Sequence, residues 1–187
     1  MRGKCRGALL ILLGNLLVIS SVCMVTALEL DNNTYNGKMP QLLRTYFEIQ
    51  ALMAKDSTEG LAAKAQIFGK LTHEIRYLVA DKLPPEAARK LEQIKKNARG
   101  LADNDLSEAR KSFKIVSRMF VEYLEMVGIP DSLKSTEIFV FYCPMAESPW
   151  MQNNQKIANP FYGSIMPEAG MLEGKLQAKV TAAYNGF

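Results

Sequence analysis

The chain is poor in the residues that usually carry catalysis or metal chemistry: three cysteines, one histidine and one tryptophan in 187 residues. Cys5 and Cys23 fall in an N-terminal segment expected to be removed. Only Cys143 then remains, and one thiol cannot form an intramolecular disulfide. A lone thiol in an oxidising compartment has to be buried, bound to metal or paired with another chain, and a buried structural cysteine is a common outcome. The sequence contains no His-Glu-x-x-His, no glycine-rich phosphate loop and no Gly-x-Ser-x-Gly. A di-iron bundle is excluded because no Glu-x-x-His motif exists to point inward. Glu122 with Glu125, or Glu86 with Glu92, would make carboxylate pairs, but they fall on outward helix faces beside lysines and arginines. Cys143 lacks an evident base to activate it as a nucleophile. The single histidine, His73, falls nearly opposite the Phe68, Leu71 and Ile75 side of its helix and is expected to face solvent. No catalytic turnover is expected.

Charge of one sign is also scarce in the body. The first 27 residues carry Arg2, Lys4 and Arg6 and no acid, so without them the formal charge falls from +4 to +1. Nucleic acid is therefore a poor partner, since no basic stripe remains to neutralise phosphates, and Lys95-Lys96 with Arg99 reads as the solvated face of a helix. Those basic residues, the apolar run after them and the small-residue site Val25-Thr26-Ala27 make a secretory signal, with cleavage expected after Ala27. An uncleaved anchor is the rival, because Ala8 to Val25 approaches a spanning length, although Asn15 and the serines weaken its middle. A lipoprotein would need a small residue before Cys23, where Val22 stands. Each version exports the body to the periplasm or the exterior, and membrane contact is expected only through an uncleaved signal. Residues 28–38 read as a linker with a glycosylation sequon at Asn32-Asn33-Thr34, and residues 39–187 as one domain.

From Met39 the apolar residues recur at the helical period. Residues 40–55 form a first helix with Pro40 in its first turn, its stripe built on Leu42, Leu43, Tyr46, Gln50 and Met53. A second helix over about 57–79 aligns Leu61, Lys64, Phe68, Leu71, Ile75 and Leu78, with Asp56 or Ser57 available to accept its first amides. Pro85 opens a third, carrying Ala87, Leu91, Ile94, Ala98 and Leu101. Asp103-Asn104-Asp105 caps a fourth over about 106–127, which Gly128-Ile129-Pro130 ends. Short connections between four amphipathic helices predict a mainly α fold, an antiparallel four-helix bundle. The period then changes: residues 137–143, EIFVFYC, read as a strand packed on the bundle. The tail beyond Pro144 reads as a small strand and loop region, closing with a strand or helix near 174–184.

That region gathers the sulfur. On a strand, positions i and i+2 share a face, so Cys143 and Met145 could present a thiolate and a thioether to one point, with Pro144 stiffening the chain between them. Such donors select Cu(I) over hard cations. Met151, Met166 and Met171 follow within a loop-rich stretch, where methionine is less expected than in a core. Methionine is also the adaptable filler of irregular cores, and beside Trp150 and Phe161 it can simply close the end of the bundle.

The run FVFYCPMA, then Trp150, then IANPFYGSIM resembles an uncharacterised family of bacterial exported domains, found alone or fused to the C-terminus of CusB-like adaptor subunits of heavy-metal efflux pumps. The similarity covers roughly residues 40–172. Tyr142, Cys143, Pro144 and Met145 match its Tyr-Cys-Pro-Met element; Trp150 follows; Asn159, Pro160, Tyr162, Gly163 and Met166 match its second element. The resemblance implies a capped helical bundle in the envelope that handles copper or another soft metal beside an efflux or metal-handling partner, with Cys143, Met145 and Met166 as ligands. Here, however, Ala169 stands where the family usually carries a second cysteine. Two readings therefore remain open: a Cu(I) site leaning on neutral thioethers, or a structural or protein-interaction module that has kept the fold without the metal.

Overall fold

A computed structural model describes residues 34–177. The expected signal peptide, the cleavage site, the sequon residues Asn32 and Asn33 and residues 178–187 lie outside the described residues. Among the described residues the architecture is mainly α: four helices followed by a small C-terminal strand and loop region. The helices are α1 (Tyr35–Ala54), α2 (Leu61–Leu78), α3 (Pro85–Ala98) and α4 (Leu106–Val127), with a 3-10 turn, Arg99–Ala102, extending α3. Three short strands follow, β1 (Phe139–Cys143), β2 (Ser148–Gln152) and β3 (Met171–Lys175). They form an antiparallel sheet in the order β2-β1-β3. No helix among the described residues is long and apolar enough to cross a membrane.

The first helix begins earlier than its sequence predicts. Residues 35–38, expected as linker, are helical, and Pro40 sits inside α1 rather than at its start. A proline there removes one helical N–H, so tertiary contacts have to hold the extra turn. Tyr35 is buried with its hydroxyl 3.2 Å from that of Tyr123, Lys38 pairs with Glu74 at 2.7 Å, and Met39 is fully enclosed. None of these partners is local, so the pattern around Pro40 could not reveal them.

The second helix differs at both ends. It starts at Leu61 after Gly60 in a left-handed conformation, and neither Asp56 nor Ser57 caps it. Leu61, Phe68, Leu71 and Ile75 are buried as the stripe requires, joined by Ala65 and Thr72, but Leu78 is 38% exposed and Lys64 reaches Glu48 at 2.5 Å. α3 and α4 follow expectation more closely. Pro85 is the first residue of α3 and its whole stripe is buried; Asp105 accepts a hydrogen bond from the Ser107 N–H at 2.8 Å, and Gly128 ends α4.

Aromatic side chains bridge α1 and α4. Tyr46 stacks on Phe113 with ring centres 5.4 Å apart and meets Phe120 edge-on at 5.5 Å. Its hydroxyl heads a chain of buried hydrogen bonds that seats β2 on both helices. Ser117 donates its single hydroxyl proton to the Pro149 carbonyl at 2.8 Å, so Tyr46 must donate to Ser117, 2.6 Å away, while accepting the Met151 N–H at 3.1 Å. Burial pushes the Tyr46 phenol well above its usual range. The hydroxyl therefore stays protonated and the chain keeps its direction.

Candidate functional site

β1 ends at Cys143, and the alternation that would align residues 143 and 145 ends with it. Residues 144–147 form a turn closed by the Glu147 N–H on the Pro144 carbonyl, with Glu147 in the left-handed region. The two residues then meet opposite environments. Cys143 has no exposed surface, while Met145 is 59% exposed. Met166 is half-buried after a single 3-10 turn, Met151 is fully enclosed on β2, and Met171 lies exposed on β3. Among the described residues no group of three His, Cys, Asp or Glu side chains is placed to hold a metal ion.

The structure instead brings Cys143 together with Asn159. This asparagine is fully buried and uses both ends of its amide. Its Nδ2 donates to the Cys143 sulfur at 3.4 Å and to the Ala169 carbonyl at 2.5 Å. Its Oδ1 accepts the Phe161 N–H at 2.8 Å and the Tyr162 N–H at 3.2 Å, the local turn that an Asx side chain favours. Its main chain closes the same loop, with its N–H on the Pro167 carbonyl and its carbonyl accepting from Gly163. Position 169 thus runs alongside Cys143 because one amide nitrogen holds both.

The other motif residues serve the same clasp. Trp150 stacks on Phe141 at 5.2 Å, meets Phe161 edge-on at 5.9 Å, and donates its Nε1–H to Gln152 at 3.0 Å. Gly170 passes so close over this indole that a Cβ there would collide with it. The Tyr162 hydroxyl donates to the Met145 carbonyl at 3.2 Å, fastening the turn after β1. The Pro160 carbonyl accepts from Arg110 Nε at 2.9 Å.

Arg110 and the Asp56 that it meets carry no motif signal in the sequence. The last turn of α1 closes with the Ser57 N–H on the Leu52 carbonyl and the Asp56 N–H on the Met53 carbonyl. Asp56 occupies the left-handed position that helix ends usually give to glycine. Its side chain explains why: one oxygen pairs with the Arg110 guanidinium and the other accepts the Ser164 N–H at 3.0 Å. Arg110 also donates to the Met53 carbonyl at 2.6 Å. Hydrogen bonding from Ser164 foremost, and then from Arg110, holds the Asp56 carboxyl down at about 2. Gly163 lies over this pair at positive φ, where a Cβ would strike both Asp56 and Arg110. A left-handed Asp after a helix is a recognisable anomaly in a structure, whereas in sequence Asp56-Ser57 reads first as a cap for the next helix.

Several apolar side chains in this region are left to solvent: Met145, Ile165, Met171 and Leu172. β3 is an edge strand with all five residues exposed, and its outer side pairs with no strand among the described residues. His73 is exposed on α2, far from this chemistry in sequence, and belongs to no metal-holding group among the described residues.

No protein-family profile, curated protein or solved structure matches this chain.

Proposed function

We propose that this chain is a non-catalytic protein-interaction module of the bacterial envelope, in which the Cys-Pro-Met and Asn-Pro-Phe-Tyr-Gly elements serve to hold a docking surface on a helical bundle. The observation that carries this reading is the state of Cys143, enclosed and accepting from Asn159, while exposed apolar side chains lie on the same small region. Enclosure and the Asn159 amide account for the thiol without a metal, and Asn159, Gly163 and Trp150 all have structural work that accounts for the motif. Export rests on the basic and apolar N-terminus, and an envelope partner on the resemblance to efflux-adaptor domains.

The metal reading makes a different demand. Cu(I) bound by Cys143, Met145 and Met166 requires the thiol to leave the Asn159 amide and meet an exposed thioether. Titration of the mature protein with Cu(I) against a chromophoric chelator separates the two. The interaction reading expects no stoichiometric uptake by the wild type. Uptake of one Cu(I), lost in Cys143→Ala, would overturn it in favour of a metal carrier. For the docking surface, photo-crosslinkers placed singly at Ile165 and Leu172 should capture an envelope protein, whereas one at Tyr77 on α2, more exposed than either, should not. Equal capture at all three positions would remove the assignment of the surface.

A further inference from the structure

A second concave surface, outside the motif region, collects charge of one sign. Between α2 and α3 lies a cleft of about 560 Å³, a volume within the usual range of small-molecule sites. Its floor is made of small residues, Ala65 and Gly69 of α2 facing Ala98 of α3. A Cβ built on Gly69 would sit 3.5 Å from that of Ala98, ordinary contact, so the helices approach closely along this line. Around the floor stand Lys70, His73, Lys95 and Arg99, and the lining contains no acid.

The nearby acids do not cancel this charge. Glu74 is 3.9 Å from Lys70 but binds Lys38 at 2.7 Å, and Glu92 is 3.6 Å from Lys95 but binds Arg76 at 2.7 Å. Each acid is thus shared, with its shorter bond to a cation that does not line the cleft. Arg99 enters no ion pair among the described residues. Four cations thus share two carboxylates, and Lys70, Lys95 and the unpaired Arg99 line the cleft. Like charges held together in this way repel, and an anion placed between them relieves the repulsion while gaining several donors.

We infer that this cleft binds a small organic phosphate, its phosphoryl oxygens taken by Arg99, Lys95 and Lys70 at the rim and its slim apolar portion laid along Ala65, Gly69 and Ala98. A planar guanidinium suits two phosphoryl oxygens at once, while the lysines act as point charges. The shallow floor without branched side chains favours a flat or narrow body over a bulky one. Inorganic phosphate satisfies only the rim, and an uncharged alcohol only the floor.

His73 is the sole histidine of the chain, so its imidazole signals report the cleft by NMR without assignment of the rest. Phenyl phosphate should shift them saturably, with a Kd at least tenfold below those of inorganic phosphate and of benzyl alcohol. The double variant Lys95→Gln with Arg99→Gln should weaken phenyl phosphate at least tenfold. Gly69→Leu should abolish the shift by filling the floor. Circular dichroism and thermal unfolding verify that each variant is folded; should Gly69→Leu fail to fold, the charge variant decides alone. Unsaturable shifts, equal affinity for inorganic phosphate, or a response unchanged in the charge variant would each overturn the site. So would phosphatidylglycerol vesicles that move the His73 signals when phenyl phosphate does not, since that result assigns the charge to a lipid surface.

Discussion

Replacing Asn159 tests whether the motif is a structural clasp, and two substitutions separate its halves. Asn159→Ala removes the acceptor of the Phe161 and Tyr162 N–H groups and the donor to Ala169 and Cys143. The Phe161 N–H is left buried without a partner, a loss of about 1–3 kcal/mol, and the half-buried Tyr162 and Ala169 groups lose less because water can reach them. The bonds share one side chain and do not add independently. A total near 3 kcal/mol is the expected destabilisation, which lowers the urea midpoint by roughly 1–2 M. Asn159→Asp keeps the acceptor but turns the donor into a second oxygen facing the Ala169 carbonyl and the Cys143 sulfur. Full burial and the two acceptors facing the second oxygen outweigh the two N–H donors on the first and raise such a carboxyl above its unfolded value near 3.9. The folded state then binds more protons, so this variant should approach wild-type stability below about pH 4 and lose it as pH rises through the raised folded value. Urea unfolding at several pH values reads both effects, and the rate of Cys143 modification by an aromatic disulfide reads the enclosure: slow in the wild type, fast in Asn159→Ala. A midpoint unchanged in Asn159→Ala, or an Asn159→Asp variant indifferent to pH, would refute the clasp.

The buried hydrogen-bond chain through Tyr46 gives a second test: Tyr46→Phe keeps the ring stacking but strands the Met151 N–H, and should cost about 1–3 kcal/mol by denaturant unfolding. Asp56 gives a third. Because its folded value is depressed to about 2, its contribution is present above the unfolded value near 3.8 and is lost as pH falls toward 2. The carboxylate is about a third exposed, so the loss should be at most about 1 kcal/mol, and Asp56→Asn should show a flatter acid limb in thermal unfolding. Gly163→Ala should destabilise by more than about 1 kcal/mol, through its positive φ and the collision with Asp56 and Arg110, whereas Gly69→Ala should be neutral or stabilising by up to about 1 kcal/mol through helix propensity. Equal melting temperatures for these two variants would contradict the close packing over Asp56.

The helices were legible because their stripes are written in large apolar side chains at one period. Phe113, Val116, Phe120 and Leu124 leave α4 no other face to bury, and all are enclosed. The helix ends were harder. The first turn of α1 depends on a hydroxyl contact between Tyr35 and Tyr123, and the end of α1 depends on Arg110 reaching back to Asp56; neither partner is a sequence neighbour. A strand over residues 137–143 was visible from its β-branched and aromatic content and forms over Phe139–Cys143, but the turn after it was not visible. Cys143 and Met145 would share a face only if the alternation continued, and Pro144 begins the turn that stops it. Asn159 could be recognised as a motif residue but not as the partner of Cys143, because that contact joins the end of β1 to a loop whose approach is fixed by Trp150, Phe161 and Gly170.

The placement of Trp150 gives the molecule its own optical reporter. As the sole tryptophan, held between Phe141 and Phe161 and roofed by Gly170, it senses whether the C-terminal segment is seated and is silent about the pairing of α2 with α3. Far-ultraviolet dichroism, in contrast, is dominated by the helices. The two signals divide the chain between them, so coincident transitions mean that segment and bundle melt as one cooperative body, and an earlier fluorescence transition means that the segment lifts from a bundle still intact.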